Sequence, residues 1–326
     1  MRVGIAIEET WSFLHEIADE LKAHHAVRLF ERRTLALPVF NTRLNRMRFR
    51  RDMRQFMQAN DVLFFEWASE LLIEASHLPK ACGIVTRLHR YEMYKWVDQV
   101  NWRAVDKIIL VSQAKKREFG QRFPEYLDKV VVVTEAVDPQ KFQPVEKPFG
   151  GNIGILCHLT PRKRVYELIL AFSELVQQRP ELRLHIGGGE HPWHGDYYFA
   201  LHDLVRQLKL EEQVLFYGKV TEPAKWYSNI DIFISNAYSE GLQVSPLEAM
   251  AAGCVCFSHQ WAGADEMLPA EYLYFTDHQL QDLVLRYCDL TEPQRRQQRC
   301  DLRQRICQDF NVHQTKVQIR QIIESV

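Results

Sequence analysis

"SEGLQVSPLEAMAAG", residues 239–253, sets two carboxylates, Glu240 and Glu248, on either side of a helix start. Ser245 is a good N-cap, Pro246 suits the first helical position and Glu248 falls three residues after the serine, the spacing of a capping box. Leu247, Ala249, Met250, Ala251 and Ala252 favour helix, and Gly253 can close it in a left-handed turn. Glu248 thus has a local explanation. Glu240 has none, because it precedes the helix beside Gly241, where the backbone can approach a ligand closely. The amides of Gly241, Leu242, Gln243 and Val244 feed the same helix N-terminus, and a helix N-terminus attracts anions. An acid next to an anion site suits a ligand that carries both phosphates and hydroxyls, as a sugar nucleotide does.

Strand-like runs flank this stretch, "DIFISN" (231–236) before it and "CVCFSH" (254–259) after it. The same alternation of short β-branched runs with helical patterns extends in both directions. Further runs in the second half are "NIGILC" (152–157), "LRLHIGG" (182–188), "VLFYG" (214–218) and "YLYF" (272–275). The first half offers "VGIAI" (3–7), "AVRLF" (26–30), "DVLFFEW" (61–67), "GIVTRLH" (83–89), "KIILVS" (107–112) and "VVVVT" (130–134). Six strands per half with intervening helices predict an α/β protein of two doubly wound parallel-sheet domains in tandem. The proline- and glycine-rich "DPQKFQPVEKPFGG" (138–151) reads as the linker. The expected domains are residues 1–145 and 146–310. The amphipathic "VHQTKVQIRQIIESV" lies in a last segment, 311–326, expected to be a helix that crosses back to the first domain. Ligands of such sheets bind beyond the carboxyl ends of the strands.

Composition excludes several classes. The 326-residue chain is 46% apolar and 25% charged with net charge −1, which suits a globular protein and not an electrostatic nucleic-acid binder. No apolar run is long enough for a membrane span, and "MRVGIAIEE" reads as a first strand and not as a signal peptide. The seven cysteines follow no zinc or disulfide spacing, which points to a reducing cytoplasm. One local excess stands out. "NTRLNRMRFRRDMR" (41–54) carries six arginines and one acid. It reads as a solvated helix face or as a contact for anionic lipid head groups or a phosphorylated acceptor.

Three more stretches fall at strand ends. In "CHLTPRKRV" (157–165), Arg162 and Lys163 stand where a helix opens. Cations are disfavoured there by the helix dipole unless an anion joins them, so the alternative to two solvated surface cations is a diphosphate site. "VTRLHRYEMY" (85–94) places His89 beside Arg87, Arg90 and Glu92, a structural or a cleft-facing histidine. "IGGGE" (186–190) lacks dinucleotide-fingerprint spacing and reads as a tight turn. The nearby His191, His194 and Asp196 are close in sequence, but no metal site is expected.

Together, "VDKIILVSQAKKREF", "VVVVTEAVDPQKFQP", "LTPRKRVYELILAF" and "VLFYGKV…WYSNIDIFISNAYSEGLQVSPLEAMAAGCVCFS" resemble the family-4 retaining glycosyltransferases of the GT-B fold, nearly along the whole chain. The last piece is similar to that family's signature of Glu, seven residues, Glu. The resemblance implies two Rossmann-like domains facing across a cleft. It implies a retaining transfer of a sugar from a nucleoside-diphosphate sugar to the hydroxyl of a carbohydrate or lipid-linked acceptor, a hexosyltransferase type of reaction in cell-surface polysaccharide or glycolipid synthesis. By it Glu240 contacts the donor sugar near its reacting end, and His89 lies near the transferred sugar. Arg162, Lys163 and the Gly241, Leu242, Gln243 and Val244 backbone take the diphosphate, and Glu248 takes the ribose. Glu9, Thr10, Arg87 and Arg90 are expected on the acceptor side. No cofactor or metal is implied, and UDP is expected before GDP from family frequency. The expected location is cytoplasmic, with peripheral contact on the inner membrane face through residues 41–54. The chain departs from the pattern at Cys157-His158, often Gly-Arg, so that one expected phosphate cation is weakened or replaced by a histidine. It departs again at Arg164, where Gly is common, and at "EETWS" (8–12), where a Gly-Gly pair is usual. A catalytically silent nucleotide-sugar-binding homologue, a GT-B phosphorylase and a sugar-nucleotide epimerase are the competing readings.

Overall fold

A computed structural model of the chain describes residues 1–11, 14–33 and 41–326, with residues 41–43 described by their backbone alone. Ser12, the end of the "EETWS" loop, lies outside the described residues, as does the side chain of Arg43. Contacts divide the chain into two compact units. One is Met1–Glu135 with Val312–Val326, and the other is Ala136–Asn311.

The first unit holds β1 (Arg2–Ala6), β2 (Ala26–Leu29), β3 (Val62–Phe65), β4 (Gly83–Leu88), β5 (Lys107–Leu110) and β6 (Val130–Val132). They form one sheet in the order β2-β1-β3-β4-β5-β6, with every pair parallel. Alternate residues of a strand face opposite sides, and both sides are covered. Val62 and Phe64 of β3 join Val3 and Ile5 against the helices His15–His24 and Val312–Glu324. Leu63 and Phe65 join Phe49, Met53 and Met57 of the helix Asn41–Ala59 on the other side. Burial on both faces is why these strands read as continuous apolar runs. Ile319 and Ile323 are fully buried in this core, so the last helix belongs to the first unit. Arg320 and Lys316 of that helix also pair with Glu20, at 3.1 Å and 3.2 Å.

The second unit holds β7 (Asn152–Leu156), β8 (Arg183–Gly187), β9 (Val214–Phe216), β10 (Ile232–Ser235), β11 (Val255–His259) and β12 (Leu273–Tyr274). Their order is β12-β11-β10-β7-β8-β9, again with every pair parallel. The α/β class and the two parallel sheets are therefore as expected.

One local expectation is corrected. The helix of the opening stretch runs Val244–Ala251, with Gln243 as its N-cap. Ser245 is then the second helical residue, and the capping box with Glu248 does not form. The Gln243 side chain accepts a hydrogen bond from Ser235 Oγ at 2.6 Å, a tertiary contact that local spacing does not reveal. Pro246 fits this earlier start, because N–H groups in the first turn have no intrahelical partner to lose. Gly253 does end the helix in the left-handed region, at φ 88°.

Candidate functional site

The strand order of the second sheet reverses between β7 and β10, and ligands of doubly wound sheets sit beyond the carboxyl ends of the strands at that reversal. Two loops leave the sheet there, one after Leu156 and one after Ser235. After β7 the chain reaches a single 3₁₀ turn, Pro161–Lys163. Arg162 and Lys163 occupy this turn and not the helix Val165–Gln178 that follows it. Arg164 between them is left-handed at φ 51°, which explains why glycine suits this place. Asn236, just past β10, donates to the Arg164 carbonyl at 2.8 Å and ties the two loops together.

The loops meet in a charged triad. Lys163 Nζ lies 2.5 Å and Arg162 Nη1 2.6 Å from the same oxygen, Oε1, of Glu240. Arg162 also donates to the Ser239 carbonyl at 2.7 Å. Lys163 and Glu240 are buried, whereas the Arg162 side chain is 27% exposed. Burial would raise the Glu240 pKa, but Lys163 and Arg162 outweigh it and hold the carboxyl below its usual value. One carboxylate facing two cations leaves a net positive charge beside solvent. Burial, with Lys163, His191 and Arg162 nearby, keeps His158 below its usual pKa and favours its neutral form. Burial pushes the Cys157 thiol up to about 11.

Glu248 lies on the helix that follows Glu240. Its Oε2 accepts from the hydroxyl of the buried Tyr227 at 2.9 Å, and the same hydroxyl lies 3.2 Å from the Ser245 carbonyl. Burial pushes the Glu248 pKa up to about 7, against a small opposing effect of the Tyr227 bond. Tyr227 was not foreseen as part of this site. The turn at "IGGGE" is a close approach: Gly188 has φ 138°, and its Cα sits where a Cβ would strike the Cys157 carbonyl.

In the first unit the residues expected to act are placed differently from one another. Glu9 is half-buried, and its Oε2 accepts from the Glu8 amide at 3.2 Å. Thr10 is exposed, and its carbonyl accepts from Trp67 Nε1 at 3.3 Å. Arg90 is half-buried, with its guanidinium 4.8 Å over the Tyr94 ring. Arg87 is corrected: it is 1% exposed and paired with Glu66 and Glu135, so no acceptor reaches it. His89 is buried between the same two acids, 3.1 Å from Glu66 and 3.0 Å from Glu135. Neither glutamate was anticipated. Each stands within three residues of the end of a strand, the position that should have drawn notice. Among the described residues no group of three or more His, Cys, Asp or Glu side chains could hold a metal ion. The His191 and His194 rings are 5.1 Å apart, centre to centre.

Two doubly wound sheets, the second carrying a cation pair at its reversal point, define a GT-B fold. The family described as "Glycosyl transferases group 1" matches residues 140–303, half of the chain, and the chain belongs to that family. It is 24% identical over 210 residues to an uncharacterised glycosyltransferase of Methanocaldococcus jannaschii, covering 60% of this chain and 48% of that one. It is 27% identical over 144 residues to the lipopolysaccharide core biosynthesis mannosyltransferase LpsB of Rhizobium meliloti, covering 40% of this chain and 41% of that one. The matched segments thus span less than half the length of these curated relatives. The whole fold is similar to Anabaena HepE, solved with UDP and glucose, with a TM-score of 0.82, 17% identity and full coverage of both chains.

Proposed function

We propose that this protein is a retaining glycosyltransferase of the family-4 type, which moves a sugar from a nucleoside-diphosphate donor to an acceptor hydroxyl. The observation that carries this reading is the shared contact of Arg162 and Lys163 with one oxygen of Glu240. A diphosphate supplies the missing negative charge, and Glu240 is then released to act on the sugar.

In the reaction the bond from the anomeric carbon to the diphosphate oxygen breaks, and a bond to the acceptor oxygen forms on the same face. The acceptor proton passes to the departing phosphate oxygen. Arg162, Lys163 and the Gly241–Val244 amides stabilise the leaving diphosphate, as preorganised dipoles and charges do. Glu240 orients the sugar and faces its developing positive charge. Glu248 accepts from the ribose hydroxyls through the oxygen that Tyr227 does not hold. The resemblance assigns His89 to the transferred sugar; Glu9, Thr10 and Arg90 are our own candidates for the acceptor side.

UDP is our choice of nucleotide; the solved relative with UDP and glucose supports it. A carbohydrate or lipid-linked acceptor fits the lipopolysaccharide assignment of the Rhizobium relative. We assign membrane-surface contact to the helix Asn41–Ala59. Its exposed Leu44, Met47, Arg51 and Arg54 follow helical spacing along one stripe. No helix among the described residues is long and apolar enough to cross a membrane.

A thermal-shift panel of UDP, GDP and their sugars tests the function. A ligand at 100 times its dissociation constant should add about 2.7 kcal/mol of stability, and UDP sugars should then release UDP in the presence of acceptor. Tight binding of a UDP sugar with no turnover would instead favour the silent homologue.

A further inference from the structure

The second unit contains a cavity of about 650 Å³, the size of a small-molecule site. One wall is the helix Glu292–Asp309, from which Arg296, Arg299, Cys300 and Arg303 face the cavity. They stand three and four positions apart along the helix, the spacing of one helix side. Another wall is the linker segment 144–148, and Gly253, just past the helix Val244–Ala251, also lines the cavity. None of these residues is assigned above to the donor or the acceptor, so the cavity is a separate site.

The lining is electropositive. Lys147 is matched by the buried Asp231 at 3.2 Å, and Arg296 by Glu146 at 2.7 Å. Arg299 and Arg295 share Glu292, at 2.7 Å and 3.1 Å. Arg303 has only neutral acceptors, the carbonyls of Pro139, Phe142 and Ala251 and the Gln143 amide. Five cations thus meet three acids, an excess of two positive charges. Donors remain as well. A guanidinium carries five N–H groups. Arg296 donates Nη2 to Glu146 and Arg299 donates Nη2 to Glu292, and neither fork is used up. Beside these charges Val145 is 57% exposed, and Pro144 and Pro148 extend this apolar wall. A solvated arginine face alone would account for the charge but not for the cavity and its apolar wall.

We propose that this cavity is a second ligand site, which takes a small phosphate monoester with an apolar portion. Such an ester carries about 1.5 to 2 negative charges at pH 7, which matches the excess that the lining leaves. Arg296 and Arg299 hold its oxygens, as guanidinium forks do. Pro144, Val145 and Pro148 cover the apolar portion. Arg303 and Lys147 keep their own partners and contribute charge at longer range. The site stands whether or not Arg162 and Lys163 take a diphosphate.

Cys300 lines the cavity and is the exposed one of the seven cysteines, so its thiol reports occupancy. Its signal is the part of the reaction with neutral dipyridyl disulfide that Cys300→Ser removes. Phenyl phosphate should protect Cys300, with a half-effect at about 1 mM or below. Benzyl alcohol should not protect it, and inorganic phosphate should protect more weakly. Arg296→Gln and Arg299→Gln, two variants in case one folds poorly, should each raise the protecting concentration about tenfold. Glu146→Gln removes a competing acid and should lower it. The protecting concentration is compared and not the rate, so a changed thiol reactivity does not enter. Full reactivity of Cys300 in about 10 mM phenyl phosphate overturns the site. Protection that is unchanged in both arginine variants overturns recognition by the two forks. Inorganic phosphate as effective as phenyl phosphate overturns the organic ligand. A ligand held only by Arg162 and Lys163 leaves Cys300 reactive, so the donor reading is tested apart from this site.

Discussion

The two sheets gather charge at their carboxyl ends in opposite ways. In the first, Glu66 and Glu135 meet Arg87 and His89, two against two, all buried. In the second, Arg162 and Lys163 converge on one oxygen of Glu240, and Arg162 reaches solvent. The first cluster is complete in itself and holds a geometry. The second is incomplete and calls for an anion. Buried charges persist only when paired, so an uneven count at a site open to solvent is what separates binding from scaffolding here.

The largest expected effect comes from unbalancing the complete cluster. Arg87→Met leaves two buried carboxylates facing only His89, and breaking such a network costs about 3–5 kcal/mol. Arg162→Met, in the open cluster, should change stability by less than about 1 kcal/mol. Urea unfolding of both variants makes the comparison; equal losses would erase the distinction. His89 adds a pH signature. Its folded pKa is raised, so its stabilisation is complete below its unfolded value of about 6.5. It disappears as pH rises toward about 10. Wild-type stability should therefore decline over that window, and His89→Asn should flatten the decline.

Next come Glu240 and Lys163, which the triad joins but function separates. Lys163→Ala should weaken nucleoside diphosphate binding by about 1.5–3 kcal/mol, the range for a hydrogen bond to a charged group. Glu240→Gln removes the carboxylate that holds the two cations, so diphosphate affinity should be equal or tighter. Its turnover should fall about 10²-fold or more, as for lost transition-state charge stabilisation. Calorimetric titration with UDP and a rate assay on the same proteins decide. A Glu240→Gln protein that binds UDP less tightly would show that the acid helps hold the nucleotide.

A smaller effect attaches to Glu248. Its raised pKa of about 7 means that stability present below pH 4.5 is lost as pH rises through 7. Glu248→Gln should therefore stabilise the nucleotide-free protein at pH 8, by about 1–2 kcal/mol. We take the low end because the residue is partly exposed. If Glu248 binds the ribose, nucleotide affinity of the wild type should increase with pH through 7 as that carboxylate ionises, and the variant should lose that dependence. Thermal melts and titrations at pH 6 and pH 8 read both. A Glu248→Gln protein with wild-type affinity at pH 8 would leave Glu248 no part in ribose binding.

How far these contrasts could be read in advance depends on the kind of signal. The twelve strands among the described residues lie where short β-branched runs predict them, because a sheet covered on both faces writes itself as continuous apolar sequence. Arg162, Lys163 and Glu240 were legible from two motifs, with Lys163 and Glu240 77 positions apart, a pairing that no local propensity could supply. Glu66 and Glu135 were not. Each follows an apolar strand run and looks like the polar end of a strand, and only the pairing order brings them to one histidine. Arg87 was misjudged for the same reason, since nothing local distinguishes a strand-end arginine that faces solvent from one sealed between two acids. The false capping box shows the converse case. Ser245 and Glu248 have the right spacing, but the helix starts where the Gln243–Ser235 contact places it.

The smallest expected effect lies outside both clusters, on the helix Asn41–Ala59. Its arginines divide as the clusters do. Arg46 and Arg50 both pair with Glu74, at 3.2 Å and 3.5 Å, and Arg48 with Asp52 at 3.7 Å. Arg51 and Arg54 are exposed on the stripe with Leu44 and Met47, which are 43% and 63% exposed. If this stripe meets anionic lipid, Arg51→Gln with Arg54→Gln should weaken binding to phosphatidylglycerol vesicles by about 1 kcal/mol per arginine. The difference should shrink in high salt, because exposed charges are screened over about 10 Å at 0.1 M. Replacing Arg46 and Arg50 should have less effect, since Glu74 already offsets them. UDP affinity should not change in either pair of variants. Sedimentation of each protein with vesicles at low and high salt measures this, and equal binding by wild type and the Arg51/Arg54 variant at low salt would remove the membrane assignment.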